Sequence, residues 1–250
     1  MKKGWKTGEV NIKLSQEEFI IDYKSYQKIF NQHYELPLMS KIWRNILEKM
    51  SKFKKLKEIQ TIRNRRWELD LTISWKYITK DVTKHKLLRW NNLDDINSSS
   101  EYVLDSFFET RSDEYHRYDF WKKRIWCKQI SNIDMKKRLG FYKIPHDFIF
   151  ANSCNYISLS EYDDNYINFL YEILNSFLLN WRFKITSTNN HINNYEIDEL
   201  PIINIQKLQW NDLEKNILIC KLYWLNNEEV YYILSDFFTI EEINKCLHLQ

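Results

Sequence analysis

One apolar stripe constrains the fold of this chain more than any other feature. Between residues 163 and 182, large apolar side chains recur at the three- and four-residue spacing of a single helix face. They are Tyr166, Phe169, Leu170, Ile173, Phe177, Leu178 and Trp181. Asp163 and Asp164 come first, where an N-cap and the helix dipole favour acidic groups. The pattern predicts one long amphipathic helix over 163–182, and burying its stripe would contribute roughly 1.5–3 kcal/mol per large side chain.

The composition favours a folded domain of substantial size and argues against a phosphate-binding loop. Of the 250 residues, 44% are hydrophobic and 28% charged, which is enough apolar material for a large core. A loop that wraps phosphate needs clustered glycines, because only glycine allows the backbone to approach closely. The chain has three glycines, Gly4, Gly8 and Gly140, and they form no such cluster. Binding of a nucleotide or adenosyl cofactor through a loop of this kind is therefore not expected.

The remaining segments predict an α+β fold. Apolar spacing after Leu38 indicates a helix to about Lys55, and the β-branched stretch that follows indicates strands with a turn near Asn64. Residues 118–150 have the pattern of a sheet that includes basic strands, and residues 203–245 that of one or two terminal helices. Three parts result: an N-terminal arm over 1–36, a central domain over 37–205, and a helical tail over 206–250 packed on that domain.

Charge is distributed unevenly, although the net charge is only +3. Ten basic and two acidic residues lie between Lys41 and Arg66, and ten basic and four acidic residues between Arg111 and Lys143. From Tyr195 onward, ten acidic residues face four lysines, and this tail should turn away from any polyanion. Basic patches of this kind attract phosphate backbones, but they are also common on ordinary solvated helix faces.

The cysteines and the hydropathy indicate a reducing, cytoplasmic setting without a membrane span. Cys127, Cys154, Cys220 and Cys246 show no paired spacing of the kind that binds zinc, so buried free thiols are expected. No signal peptide is visible, and no apolar run reaches the roughly 20 residues of a membrane span.

A run of short polar side chains follows the predicted helix, from Thr186 to Asn194. Such residues compete for backbone hydrogen bonds and make a poor helix or core. They are well suited to hydrogen-bonding base edges, where Asn pairs with adenine and Ser or Thr with either partner. The same residues also suit a plain loop at a helix C-terminus, so the run alone does not separate the two interpretations.

Four stretches of the chain, at 124–132, 136–157, 166–202 and 222–234, carry a resemblance to a known family. The most specific pieces are Asn175–Ser176, the polar run at 187–191, and Glu199-Leu200-Pro201. Together they resemble the C-terminal target recognition domain of adenine-N6 DNA methyltransferases, in particular the TaqI-like specificity region of type IIG and IIS restriction–modification enzymes. Relatives tend to carry Arg-Gly where this chain has Arg63-Asn64, which is a departure from the pattern.

The resemblance implies a sheet-based DNA target recognition domain, held by the long helix, that binds double-stranded DNA and selects a sequence. Catalysis and S-adenosylmethionine would belong to a partner adenine methyltransferase or methyltransferase–endonuclease, because this chain lacks the Asn/Asp-Pro-Pro-aromatic motif. It would be a non-catalytic specificity subunit, or the recognition half of a type II restriction enzyme, in phage defence. The expected DNA-contacting residues are Arg63, Arg65, Arg66, Trp67, Lys122, Lys123, Arg124, Lys128, Lys136, Lys137, Arg138, Ser187, Asn189, Asn190 and His191.

Two alternatives to DNA recognition are open from the sequence. A protein-interaction or inhibitory module could use the same fold to occupy a methyltransferase without contacting DNA. A nuclease site is a more distant alternative, since Asp22-Tyr23-Lys24 is an Asp-x-Lys triplet with Glu17 and Glu18 upstream. A Cys154 nucleophile paired with His146 or His191 is conceivable, but no orienting acid is evident.

Overall fold

The computed structural model describes residues 40–92, 95, 98–109, 122–159, 162–187, 189–203 and 212–247 with their side chains. It describes residues 10–14 and 17–21 by their backbone. These residues form an α+β fold, as the sequence predicts. No helix among them is long and apolar enough to cross a membrane.

In the part of the chain that the structure describes, ten strands form three sheets. Strands β1 and β2 make an antiparallel hairpin. Sheet 1 has the order β3-β10-β7-β8 and is antiparallel throughout, whereas sheet 2 has the order β4-β6-β5-β9 and contains one parallel pair, β5 with β9. The strands are β1 (Val10–Leu14), β2 (Glu17–Ile21), β3 (Arg63–Arg65), β4 (Ile78–Thr79), β5 (His85–Leu88), β6 (Tyr102–Val103), β7 (Arg124–Lys128), β8 (Phe141–Ile144), β9 (Phe148–Phe150) and β10 (Cys154–Ser158).

Eight helices are present among the described residues. They are α1 (Lys41–Met50), α2 (Ser106–Glu109), α3 (Asp164–Leu174), α4 (Phe177–Lys184), α5 (Asn194–Asp198), α6 (Asp212–Leu222), α7 (Asn227–Leu234) and α8 (Ile240–Leu247). Three C-terminal helices therefore stand where the sequence predicts one or two. Their apolar residues enter the same core as α1, α3 and α4. The predicted boundary at 205/206, the end of the arm at 36, and the Asp22–Lys24 triplet fall outside the described residues.

The two faces of sheet 1 pack against different layers. On β7, Ile125 and Cys127 belong to the large core beneath the helices. Trp126, from the opposite face of β7, packs with Tyr156 of sheet 1 and with Phe150 of sheet 2. Apart from the β1–β2 hairpin, the described residues therefore form a helical layer, sheet 1 and sheet 2, with sheet 1 in the middle.

The prediction of one continuous helix over 163–182 is wrong in its middle. Helix α3 ends at Leu174, and the Ser176 hydroxyl accepts from the Leu179 amide to cap α4. The Asn175 carboxamide leaves the helix axis and binds both backbone groups of Phe141 on β8, each at 3.0 Å. The apolar stripe still faces the core, because its residues on both sides of the break pack into or against the same cluster.

Two strand predictions are also wrong. The predicted turn near Asn64 is strand β3, in which Arg65 pairs with Tyr156 of β10. The predicted basic strand containing Lys136, Lys137 and Arg138 is a loop, which we call the β7–β8 loop (residues 129–140). Its backbone hydrogen bonds go to side chains and to another loop, a kind of pairing that strand periodicity does not reveal.

Three of the four cysteines are buried and free, as the sequence predicts. Burial raises the pKa of Cys127 and of Cys220 to about 12, and it raises the pKa of Cys154 as well. A thiol that stays protonated reacts slowly with electrophiles. We therefore expect a disulfide reagent at pH 8 to label only half-buried Cys246 rapidly, and all four cysteines in denaturant. Rapid labelling of more than one thiol in the folded protein would contradict this packing.

Candidate nucleic-acid interface

The β7–β8 loop is held in one conformation by a buried carboxamide. Asn180 of α4 is 1% exposed, and its Oδ1 accepts from the amides of Arg138 (2.7 Å) and Leu139 (3.1 Å). Its Nδ2 donates to the Lys136 carbonyl at 2.8 Å. One side chain thus satisfies three backbone groups of a loop that has no strand partner there.

The polar segment (residues 187–191, of which 187 and 189–191 are described) lies along the same loop. The Ser131 amide donates to the Asn190 carbonyl at 2.9 Å, and Ile130 and His191 form an isolated β-bridge. The Ile133 amide donates to the Asn190 Oδ1, also at 2.9 Å. The sequence-predicted recognition run and the sequence-predicted basic segment are therefore in direct contact.

Among the described residues of the polar segment, the carboxamide oxygens of both asparagines accept hydrogen bonds within the protein. The Asn189 Oδ1 accepts from the His191 amide at 2.7 Å, and the Asn190 Oδ1 is engaged by Ile133. The Nδ2 groups of both residues and the His191 ring belong to exposed side chains. Ser187 differs from its neighbours, because it is 2% exposed and its carbonyl accepts from Arg138. Three of the four predicted residues in this segment thus reach solvent, and Ser187 does not.

Two of the predicted arginines are structural. Arg138 is 3% exposed and donates to the carbonyls of Ser187 (3.0 Å) and Asn189 (2.5 Å), and burial lowers its pKa. Arg124 is 1% exposed, pairs with Glu68 at 2.7 Å and donates to the Phe148 carbonyl. A guanidinium enclosed in this way cannot reach a DNA phosphate without unfolding its surroundings. Arg124, Arg138 and Ser187 are therefore corrected from contact residues to supporting ones.

Lysines at the β7–β8 loop line an open cleft of about 570 Å³. Lys128 and Lys137 lie on its wall together with Ile130, Asn132 and Met135. Lys136 is exposed beside them, and its Nζ donates to the Asp236 carbonyl at 2.9 Å. The predicted cations at 128 and 137 therefore line one cleft, and its lining residues Ile130 and Ser131 contact the polar segment, whereas Lys136 reaches Asp236.

The acidic tail does not turn away from this cleft, in contrast to the sequence expectation. Asp212 of α6 lines it together with Glu172 of α3. Lys215 lies between these two carboxylates, 2.7 Å from Glu172 and 3.4 Å from Asp212. This cluster retains a net charge of −1, because one lysine faces two carboxylates, and Lys128 and Lys137 bring the lysines that line the cleft to three.

The other predicted cations lie elsewhere on sheet 1. Lys122 and Lys123 precede β7, so the strand separates them from Lys128 by roughly 13 Å or more, and Lys123 pairs with Asp164. Arg63 and Arg65 occupy β3, two strands away from β7. Beyond β3, exposed Arg66 stacks over half-buried Trp67 with its guanidinium carbon 5.7 Å from the ring centroid. The structure gathers the 128–137 and 189–191 groups and leaves these residues at a distance.

Sequence reasoning missed the residues that position the interface. Asn175 entered the sequence analysis only through the resemblance, and neither Asn180 nor Asn155, which donates to the Ile192 carbonyl at 2.8 Å, was singled out. A signal was available: each is a carboxamide inside an otherwise apolar stretch, and a buried polar group is expected to have a partner. The sequence does not show which backbone groups that partner supplies.

The structure does not support Cys154 as a nucleophile or a metal site among the described residues. Cys154 is buried, and burial raises the pKa of its thiol, so the nucleophilic thiolate is disfavoured. Among the described residues, no cluster of three or more His, Cys, Asp or Glu side chains could hold a metal ion.

No protein-family model matches this chain, and no curated protein is significantly similar to it.

Proposed function

We propose that this protein is a duplex DNA recognition module that works with a separate adenine-N6 methyltransferase or methyltransferase–endonuclease. The observation that carries the proposal is the contact between the polar segment and the lysine-bearing β7–β8 loop. Phosphate contacts position a protein on DNA, and base contacts specify the sequence. One surface here holds groups suited to both tasks.

The two tasks divide between the residues. Lys128, Lys136 and Lys137 would contact phosphates on either side of a groove. A lysine suits this task, because its ammonium is a point charge on a flexible stem that can reach a phosphate oxygen. The carboxamides of Asn189 and Asn190 and the ring of His191 would contact base edges. The partner would bind S-adenosylmethionine and methylate an adenine that has been flipped out of the duplex. The complex would act in the cytoplasm of the cell that it protects.

Replacing both Lys128 and Lys137 by Ala should weaken duplex binding and flatten its salt dependence. Each lost phosphate contact lowers the slope of log affinity against log salt concentration by about 0.9. Fluorescence anisotropy with a labelled duplex across a range of salt concentrations measures this slope. The matched control is Lys76→Ala with Lys80→Ala, two exposed lysines of the sheet 2 region, which should leave it unchanged.

If the wild-type protein does not bind duplex DNA at low salt, the proposal is refuted. If a methyltransferase nevertheless bound the chain, the protein-interaction alternative would replace it. Binding with equal slopes for both double variants would show that DNA contacts another surface.

Base contact by the polar segment predicts a change in sequence preference. Selection from a random duplex pool should yield one motif for the wild type and a relaxed motif for Asn190→Ala/His191→Ala, since each good base contact contributes about 1–3 kcal/mol of discrimination. Circular dichroism and urea unfolding verify that the variant is folded. An unchanged motif in a folded variant would show that these residues do not contact bases.

A further inference from the structure

We propose, resting on the proposed function, that Ile133 is a wedge that enters the minor groove and separates two stacked base pairs. Ile133 occupies the turn Asn132–Met135, which is closed by a hydrogen bond from the Met135 amide to the Asn132 carbonyl at 3.2 Å. Its side chain is 41% exposed, although the cores of the molecule bury most other isoleucines. Ile130 and Met135, at 51% and 50% exposed, flank it.

The turn is held by hydrogen bonds from within the loop and from the polar segment. The Asp134 amide donates to the Asn132 Oδ1 at 3.0 Å, and the Ile133 amide to the Asn190 Oδ1. Asn180 then fixes the chain at residues 136, 138 and 139. A side chain presented on a fixed backbone loses little entropy on insertion, which is the requirement for a wedge.

The exposed donors and the aliphatic turn together fit the minor groove. Asn190 contacts the Ile133 backbone directly, and with its Oδ1 engaged it offers chiefly an NH₂ donor; Asn189 is in the same state. In the minor groove, A·T pairs display only the acceptors adenine N3 and thymine O2. Proteins that bind there often insert aliphatic side chains between base steps and kink the duplex.

The local charge fits DNA better than an apolar protein partner. Lys128 and Lys137 line the cleft next to the turn together with Ile130 and Met135. The carboxylates there are Asp134 of the loop and the Glu172 and Asp212 side chains, with which Lys215 pairs. An aliphatic side chain beside a lysine-lined cleft is complementary to a base step flanked by phosphate chains. The wedge and the lysines would therefore engage the duplex together.

Base analogues test the groove and the insertion separately. In a duplex carrying the selected motif, 2-aminopurine placed at each adenine in turn should show a several-fold rise in fluorescence at one step on binding, because the base loses its stacking partner. Ile133→Ala should abolish the rise and weaken binding about tenfold or more, whereas Ile133→Leu should retain both. The control Ile240→Ala removes an isoleucine that is 64% exposed beside Glu241 and Glu242, where DNA is repelled, and should change neither.

The groove is identified by removing one ring nitrogen at a time. Replacing adenine by 3-deazaadenine, which lacks the minor-groove acceptor, should weaken binding, and 7-deazaadenine, which lacks the major-groove acceptor, should not. The reverse pattern, or salt-dependent binding without any fluorescence rise, would overturn the wedge and leave the proposed function standing. Absence of duplex binding by the wild type would overturn both.

Discussion

Replacing Glu68 by Gln is expected to lower the free energy of unfolding by about 3–5 kcal/mol, because it leaves the Arg124 guanidinium buried without a counter-charge. Both side chains of this ion pair are enclosed, at 0% and 2% exposed. Glu68 also accepts from the Phe150 amide at 3.0 Å, so the pair connects sheet 1 to sheet 2. The variant should lose the docking between the sheets first. Urea unfolding followed by tryptophan fluorescence measures the change.

The control for this prediction is Glu101→Gln. Glu101 pairs with Arg89 at 2.5 Å, but both side chains are about a third exposed, so water compensates for much of a lost charge. The expected loss is at most about 1 kcal/mol. A double replacement, Glu68→Leu with Arg124→Met, should recover much of the stability lost by Glu68→Gln, because it removes both charges. Equal losses for the two single variants would contradict the assignment of Arg124 as a buried structural group.

Replacing Asn180 by Leu is the second change for which we expect a large effect. It would leave the amides of Arg138 and Leu139 and the carbonyl of Lys136 without partners in a buried setting. Each unsatisfied group costs about 1–3 kcal/mol, and partial rearrangement of the loop should limit the total loss of stability to about 3–5 kcal/mol. Hydrogen exchange at residues 136–139 should rise by orders of magnitude, and duplex binding should fall with it.

Asn168→Leu is the matched control. Asn168 lies exposed on α3 and accepts one hydrogen bond from Lys143 at 2.8 Å, so its loss should change stability by less than about 1 kcal/mol. If Asn180→Leu destabilised the protein but left DNA binding intact, the β7–β8 loop would be a structural element and not an interface. If it changed neither property, the hydrogen bonds of Asn180 would not hold the loop.

The spacing of apolar residues correctly predicted the helix face that packs into the core. The apolar stripe over 166–181 is buried where its spacing places it, since a helix face and a core are matched by the same 3.6-residue repeat. The break at Asn175–Ser176 escaped prediction, because the apolar pattern continues through it. Its cause is a tertiary hydrogen bond to Phe141, 34 residues away, to which local spacing is insensitive.

The candidate site was predictable in composition but not in geometry. The sequence singled out both the basic segment at 136–138 and the polar segment at 187–191, and the structure brings them into contact. The sequence could not show that Arg138 and Ser187 face inward while Lys137 and Asn190 face outward. Adjacent residues of similar chemistry take opposite roles in an irregular loop, where no repeat assigns a face to each position. The exposed turn at Ile133 was missed for the same reason.

Hydrogen exchange with and without duplex DNA tests the central claim most directly, because it locates the contact without any substitution. The selected duplex should slow exchange in residues 128–135 and 189–191 and leave the exposed turns of sheet 2, such as 80–84, unchanged. The β7–β8 loop and the polar segment would then form the DNA-facing surface. Protection confined to other parts of the protein, with 128–135 and 189–191 exchanging as in the free protein, would contradict the account.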